Sequence, residues 1–244
     1  MIDFAGKVVW ITGAGSGVGE ACALIMAQYG ASVVLSGRRI EPLRDLAERI
    51  TNLDGDALVC ACDVADPEQT RATVANIKAR YGRLDVYVGS AGYNINKRLM
   101  SNLSPTEAQA IMNVSLGGAF NASSAALELM REQNSGTLIH IGSWSGKRVR
   151  TFSGPAYTAA KAGLLAMSES MNLELADQGI RSTVIVPGGI DTPLLDNLPS
   201  PPSAEQRRRL LRVEDCAEAV RWVAALPQRV RIDELTITPT SQNV

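Results

Sequence analysis

The sequence predicts an α/β fold: one domain whose doubly wound parallel sheet carries helices on both faces. Three observations predict it. Apolar runs of strand length alternate with longer helical stretches along the 244 residues, the order that builds parallel sheets through crossover connections. The runs are continuously apolar, as in Val8-Val-Trp-Ile11 and Val184-Ile-Val186, which suits strands buried on both faces. A glycine-rich turn, Thr12-Gly-Ala-Gly-Ser-Gly-Val-Gly19, joins the first run to the first helical stretch, at the place where doubly wound sheets bind ligands.

Six strands are expected at Lys7 to Ile11, Ser32 to Ser36, Asp56 to Ala61, Leu84 to Val88, Thr137 to Ile141 and Arg181 to Val186. Helical stretches follow at Gly17 to Tyr29, Glu41 to Thr51, Pro67 to Tyr81, Pro105 to Met130 and Pro155 to Gln178, several opened by Ser, Asp or Pro as N-terminal signals. The Pro/Ser cluster Leu198-Pro-Ser-Pro-Pro-Ser203 reads as an inserted loop. Behind it come a basic helical stretch from Ala204 to Arg212, an amphipathic helix from Glu214 to Leu226 and a last strand, Glu234 to Thr238. No linker divides the chain, so residues 1–244 form a single unit, with a substrate loop or lid around 190–212.

Composition narrows the function. Apolar residues make up 45% and charged ones 20%, enough for a sizeable core. Lys plus Arg number 24 against 25 Asp plus Glu, so no overall field recommends nucleic acid or an anionic membrane, and a small-molecule partner is favoured. The four cysteines, Cys22, Cys60, Cys62 and Cys216, make no C-x-x-C pair and suit a reducing cytoplasm. The opening Met1-Ile-Asp-Phe-Ala-Gly-Lys7 is unlike a signal peptide. A single histidine, His140, excludes sites built on several His ligands, so no metal is expected. His140 itself reads as a core-strand residue.

In the glycine-rich turn, Gly13, Gly17 and Gly19 fit T-G-x-x-x-G-x-G rather than G-x-G-x-x-G. Glycine lets the backbone approach a pyrophosphate, while the N–H groups and dipole of the helix start attract its charge. An NAD site is expected to place a carboxylate about 20 residues further on, yet no Asp or Glu lies between Glu20 and Glu41. The second strand ends instead in Ser36-Gly-Arg-Arg39. Guanidinium groups match phosphate oxygens, so Arg38 and Arg39 point to the 2'-phosphate of NADP; an arginine there can also stack on adenine, so NAD stays possible. Asp63, at the end of the third strand, suits the adenine amino group or caps the helix at Pro67.

Tyr157 and Lys161 share one helical face by their i, i+4 spacing. A tyrosine that works near pH 7 must have its pKa brought down by roughly 3 pH units, about 4 kcal/mol. One ammonium at about 4 Å supplies roughly that in a medium of effective dielectric about 20, and oxidised nicotinamide adds positive charge. Ser143 follows the fifth strand at the carboxyl edge, where its hydroxyl can hold a substrate oxygen. Asn113 sits mid-helix, a poor place for asparagine unless its side chain has a partner.

Together these motifs resemble the short-chain dehydrogenase/reductase family over essentially the whole chain. Thr12, Gly13, Gly15, Ser16, Gly17, Val18 and Gly19 resemble its cofactor turn, Asp63 with Val64 its adenine contact, and Asn113, Ser143, Tyr157 and Lys161 its catalytic tetrad. Pro187-Gly188, Ile190 and Thr192 resemble the segment placed against the nicotinamide carboxamide. The resemblance implies a Rossmann fold with a seven-stranded sheet of order 3-2-1-4-5-6-7. It implies that Tyr157 exchanges the hydroxyl proton, that Lys161 lowers its pKa and binds the nicotinamide ribose, that Ser143 steadies the carbonyl, and that Asn113 holds a relay water. It also implies a homotetramer or a dimer. Ser36-Gly-Arg-Arg39 and the tail Cys216 to Gln242 look like NADP-dependent reductases of 3-hydroxy acids and semialdehydes. One departure stands out: where the family shows Asn-Asn-Ala-Gly, this chain has Gly89-Ser90-Ala91-Gly92.

The implied activity is hydride transfer between NADP, or NAD, and a small carbonyl or alcohol. Lys97, Arg98, Lys147, Arg148 and Arg150 in the substrate loops suggest an acidic or otherwise polar compound. A rival class is a non-catalytic nucleotide-sensing protein on the same fold, for which Tyr157 and Lys161 would be dispensable. A methyltransferase or flavoprotein on a similar sheet ranks last.

Overall fold

The computed structural model describes residues 4–198 and 200–242; the opening Met1-Ile-Asp3 and Pro199 of the expected loop lie outside them. Seven strands, β1 (Val8–Thr12), β2 (Ser32–Ser36), β3 (Asp56–Val59), β4 (Val86–Gly89), β5 (Gly136–Ile141), β6 (Ile180–Pro187) and β7 (Glu234–Ile237), form one sheet in the order β3-β2-β1-β4-β5-β6-β7. Every pairing is parallel. The single-domain Rossmann fold and its strand order are therefore as expected.

Alternation along each strand divides the core in two. Val9 and Ile11 of β1 join a cluster with Cys22 and Met26 of α1 (Gly17–Gln28) and Val220 of α9 (Val213–Ala224). Val8 and Trp10 face the other way, against Val74 and Ile77 of α3 (Pro67–Tyr81) and Ala126 and Met130 of α5 (Gly118–Gln133). The Trp10 indole nitrogen donates to Ser36 Oγ at 2.9 Å, which satisfies the one polar atom that this large side chain buries. All four cysteines are buried and free.

Most ends shift by a few residues from the sequence reading, and three differences bear on the site. β3 ends at Val59, yet the Cys60 and Cys62 amides still donate to Leu35 O and Gly37 O, both at 3.0 Å, so the chain follows the sheet edge as far as Asp63. The helix expected from Pro105 to Met130 starts with a capping box between Ser104 and Glu107 as α4 (Pro105–Met112), widens into a π turn at Asn113–Gly117, and runs on as α5. Of the basic stretch after the Pro/Ser cluster only α8 (Ala204–Arg207) is helical. Beyond it Leu211 turns back to bridge Ile190, its amide donating to Gly189 O at 2.9 Å.

His140 is fully buried in β5, edge-on to Tyr87 with ring centroids 5.9 Å apart. Neither ring nitrogen has a hydrogen-bond partner among the described residues. Burial, reinforced by the charge of Lys161, pushes its pKa down to about 4. In the unfolded chain histidine titrates near pH 6.5. Between those values the unfolded state binds more protons, so stability falls as the pH drops from about 6.5 to about 4, by roughly 3 kcal/mol in all. Urea midpoints between about pH 7 and about pH 4 should therefore fall more steeply for the wild type than for His140→Phe. Identical slopes for the two proteins would refute this.

Candidate active site

The carboxyl ends of the strands open into a cavity of about 800 Å³. It lies where the sheet order reverses, β2 leaving β1 on one side and β4 on the other, the position at which such sheets bind ligands. One end is walled by Gly13, Ser16, Gly17 and Val18 of the glycine-rich turn, Arg38 and Asp63; the other by Ser143, Tyr157 and Lys161.

The turn suits a pyrophosphate for reasons visible in its packing. A Cβ at Gly13, whose φ is +70°, would sit 2.8 Å from the Ser90 and Ala91 backbone, and one at Gly19 would overlap Gly13 O. These glycines let the turn close tightly on β4 and on its own helix. At Gly17, whose φ is +60°, a Cβ would make only van der Waals contact with Thr192, Cγ2 lying 3.7 Å away, and the residue lines the cavity. Ser16, the N-cap of α1, makes no side-chain capping bond, which leaves first-turn N–H groups available to an anion. Arg38 is exposed and lines the cavity. Cap duty before Pro67 falls to Asp66, which accepts from the amides of Glu68 and Gln69. Asp63, its Oδ1 accepting from the Ala65 amide at 3.0 Å, is left on the cavity wall.

At the other end, α7 (Pro155–Leu175) begins at Gly154, and its first two turns bring Tyr157 and Lys161 to the cavity. Ser143, the N-cap of α6 (Trp144–Lys147), accepts from the Ser145 amide at 3.2 Å, and its hydroxyl shares the cavity wall with the Tyr157 phenol, whose pKa it lowers. Lys161 is buried and donates to Ile141 O at 2.7 Å, with Nζ 5.7 Å from the Tyr157 ring centroid. Burial pulls its pKa down to about 8. Burial also raises the Tyr157 phenol above its usual value, opposed by the Ser143 hydroxyl and the positive charge of Arg98. Lys161, its ammonium turned to Ile141 O, is not among the groups that oppose this rise.

Asn113 is not brought to this group. It is exposed, its Oδ1 accepts from Gln109 Nε2 at 2.6 Å, and it lines a separate apolar groove with Met112, Leu116 and Phe120. Two positions on, about 200° around the helix, Ser115 is fully buried, exchanging hydrogen bonds with the Tyr93 backbone at 3.2 and 3.3 Å. Thr12 points inward to Tyr87 Oη at 3.3 Å. Gly15, Gly19 and Arg39 also stand back from the cavity lining, whereas Val64, Ser90, Ala91, Gly92, Pro187, Gly188, Ile190 and Thr192 belong to it.

The Gly89 departure has a steric cause. A Cβ there would lie 2.9 Å from Tyr87 Oη and 3.2 Å from His140 Nδ1, so these two aromatic residues fill the room an asparagine would need. Sequence reasoning missed Trp144 and Gln242, which also line the cavity, as does Asn94 of the loop after β4; Gln242 Oε1 accepts from the Gly189 amide at 3.0 Å. Of the five loop cations only Arg98 and Arg150 line it, Lys147 being paired with Glu234 at 2.5 Å.

A family model described as short chain dehydrogenase matches residues 7–202. An uncharacterized oxidoreductase of Staphylococcus aureus (strain USA300) is 34% identical over 233 residues, 96% of this chain and 97% of its own. Among solved structures, the closed form of serine dehydrogenase complexed with NADP+ is similar with a TM-score of 0.89 at 28% identity, covering 98% of this chain and 97% of that one. An alcohol dehydrogenase from the archaeon Thermococcus sibiricus, complexed with 5-hydroxy-NADP, is similar with a TM-score of 0.87 at 27% identity, covering 98% of each chain.

Proposed function

Because the chain belongs to the short chain dehydrogenase family of oxidoreductases, we propose that it transfers a hydride between NADP and a small carbonyl or alcohol, with Tyr157 as general acid and base. One observation carries this reading: Ser143, Tyr157 and Lys161 meet in the same cavity as a glycine-rich turn shaped for a dinucleotide. A bound nicotinamide supplies or accepts the hydride at the substrate carbon. Ser143 holds the substrate oxygen beside the phenol, Tyr157 Oη gives that oxygen its proton in reduction and takes it in oxidation, and Lys161 biases the phenol toward releasing it. A nicotinamide cofactor is supported by the NADP-bound solved structures; the choice of NADP rests on Arg38 at the end of β2, where no carboxylate stands. Asn113 has no part in this scheme.

The cavity cations Arg38, Arg98, Arg150 and Lys161 outnumber its single acid, Asp63, which favours a polar or carboxylate-bearing substrate. The reading extends to a homotetramer or dimer, supported by Phe120 and Leu173, 57% and 79% exposed on α5 and α7, and to a reducing cytoplasm, supported by four free buried cysteines. No helix among the described residues is long and apolar enough to cross a membrane.

The test follows the absorbance of reduced NADP and NAD against a panel of aldehydes, ketones, hydroxy acids and alcohols. Turnover with NADP is expected, and Arg38→Ala should raise the KM for NADP by about 10- to 100-fold, the worth of one charge-assisted hydrogen bond, while barely changing that for NAD. Activity with NAD alone would overturn the arginine argument. No turnover of any compound with either cofactor would overturn the proposal.

A further inference from the structure

A buried guanidinium is costly unless its donors find acceptors. Two arginines among the described residues are buried, Arg181 and Arg98. Arg181 is structural: its donors end on Thr137 Oγ1 and on the carbonyls of Val223, Leu226 and Pro227 at the end of α9, where a cation also meets the negative pole of the helix. Arg98 is different. It lines the reaction cavity, its guanidinium donates to Ile95 O and Asn197 O, and the charge-bearing group that faces it is Tyr157.

The segment holding Arg98 is fastened to the start of α7. Asn94 Nδ2 donates to Ser153 O at 3.0 Å while its Oδ1 takes the Ile95 amide at 3.0 Å. A Cβ on Gly154 would overlap the Arg98 carbonyl oxygen. Tyr157 follows in the first turn after Gly154, so the two residues sit on one packed unit. Asn197 belongs to the 190–212 segment, itself tied down where Arg207 pairs with Asp191 at 2.9 Å and with Asp196.

We propose that Arg98 is a positioning residue for the proton transfer, a second cation acting with Lys161 on the Tyr157 phenol, and that the 190–212 segment holds its guanidinium there through the Asn197 carbonyl. The inference rests on the reading of Tyr157 as acid and base. The charged and polar groups around the phenol are Lys161 on its own helix, Ser143 from the turn between β5 and α6, Arg98 from the loop after β4, and Arg150 lining the same cavity; the one acid in the lining, Asp63, belongs to the opposite end. A positive charge stabilises the phenolate over the phenol, so the segment that lines the cavity through Asn197 also sets the acidity of the group inside it.

The test measures kcat/KM against pH, with NADP+ and whichever alcohol the panel identifies, for the wild type, Arg98→Gln and Arg98→Lys. Alongside it, the tyrosinate ultraviolet band of each protein is titrated without cofactor, the Tyr157→Phe protein serving as blank. In Arg98→Gln the Tyr157 limb should move up by about one pH unit in both measurements, and Arg98→Lys, which keeps the charge, should stay near the wild type. An unmoved limb in Arg98→Gln, or a limb displaced equally in Arg98→Lys, overturns the inference. If Arg98→Gln does not fold, Arg98→Lys decides: a wild-type limb supports the role of charge and a displaced one defeats it. A wild type that turns over nothing defeats the proposed function instead, and the tyrosinate titration still reads the effect of Arg98 on the phenol.

Discussion

Replacing Tyr157 by Phe should lower kcat by about 10²- to 10⁴-fold, equivalent to about 3 to 5 kcal/mol of transition-state stabilisation. NADP affinity should change by less than about threefold, since only one hydroxyl is removed. The reason lies in where protons can come from. In reduction the carbonyl oxygen gains negative charge as hydride reaches carbon, and a proton must arrive at that oxygen from within hydrogen-bond reach. Ser143 is a hydroxyl with no cation of its own, and Lys161 Nζ is turned to Ile141 O. The phenol, whose pKa the Ser143 hydroxyl and the charge of Arg98 both lower, is the group whose charged form the surroundings assist. Burial keeps it protonated, ready as an acid; in oxidation it must first be brought down, and a bound oxidised nicotinamide would add positive charge to that of Arg98 and Lys161. Phenylalanine fills the same volume, so loss of fold is not the expected cause of inactivity. Steady-state kinetics together with cofactor titration by fluorescence provide the check. A kcat within tenfold of the wild type would mean another group carries the proton.

Much of this site was legible because its signals are local. The strands announce themselves as unbroken apolar runs, and the Gly13–Gly19 turn needs only its place after β1. Tyr157 and Lys161 share a face because α7 is regular through both. Asn113 misled for a local reason as well. A mid-helix asparagine invites a functional reading, but the π turn at Asn113–Gly117 and two residues of rotation put the buried hydroxyl of Ser115 inside and Asn113 outside. Serine at that position carries no sequence signal of its own. Other features depend on contacts between distant parts of the chain. Arg98 looks like any loop cation until Asn197, 99 residues away, closes over it, and nothing in a tail glutamine says that Gln242 will receive the Gly189 amide. The glycine at position 89 acquires its explanation only when Tyr87 and His140 are seen to occupy the missing side-chain volume.

Gly154→Ala should be the most damaging single methyl group added beside the reaction cavity, at the glycine that follows the lining residue Ser153. Gly154 has φ +76° and ψ 155°, a region essentially reserved for glycine, and a residue with a Cβ held there costs about 1 to 3 kcal/mol of backbone strain. The added methyl would also overlap the Arg98 carbonyl oxygen, a backbone atom that cannot rotate away as a side-chain tip would. Overpacking of that kind brings the total to about 2 to 6 kcal/mol, a large share of the 5 to 15 kcal/mol that holds a typical domain together. The strain can be relieved in two ways, and both pass through the chemistry. If the 94–98 loop yields, Asn94 loses Ser153 and Arg98 leaves the phenol. If the start of α7 yields, Tyr157 moves off Ser143. Either way kcat should fall more than thermal stability alone would predict, and the Tyr157 limb of the pH profile should shift upward with it. Thermal unfolding and the kcat/KM profile of Gly154→Ala, compared with an equally destabilised variant remote from the cavity such as Leu46→Ala in α2 (Ile40–Thr51), whose side chain is 1% exposed in the core, separate the two contributions. Equal losses of activity in the two variants would show that the contact between Gly154 and Arg98 serves only to hold the fold.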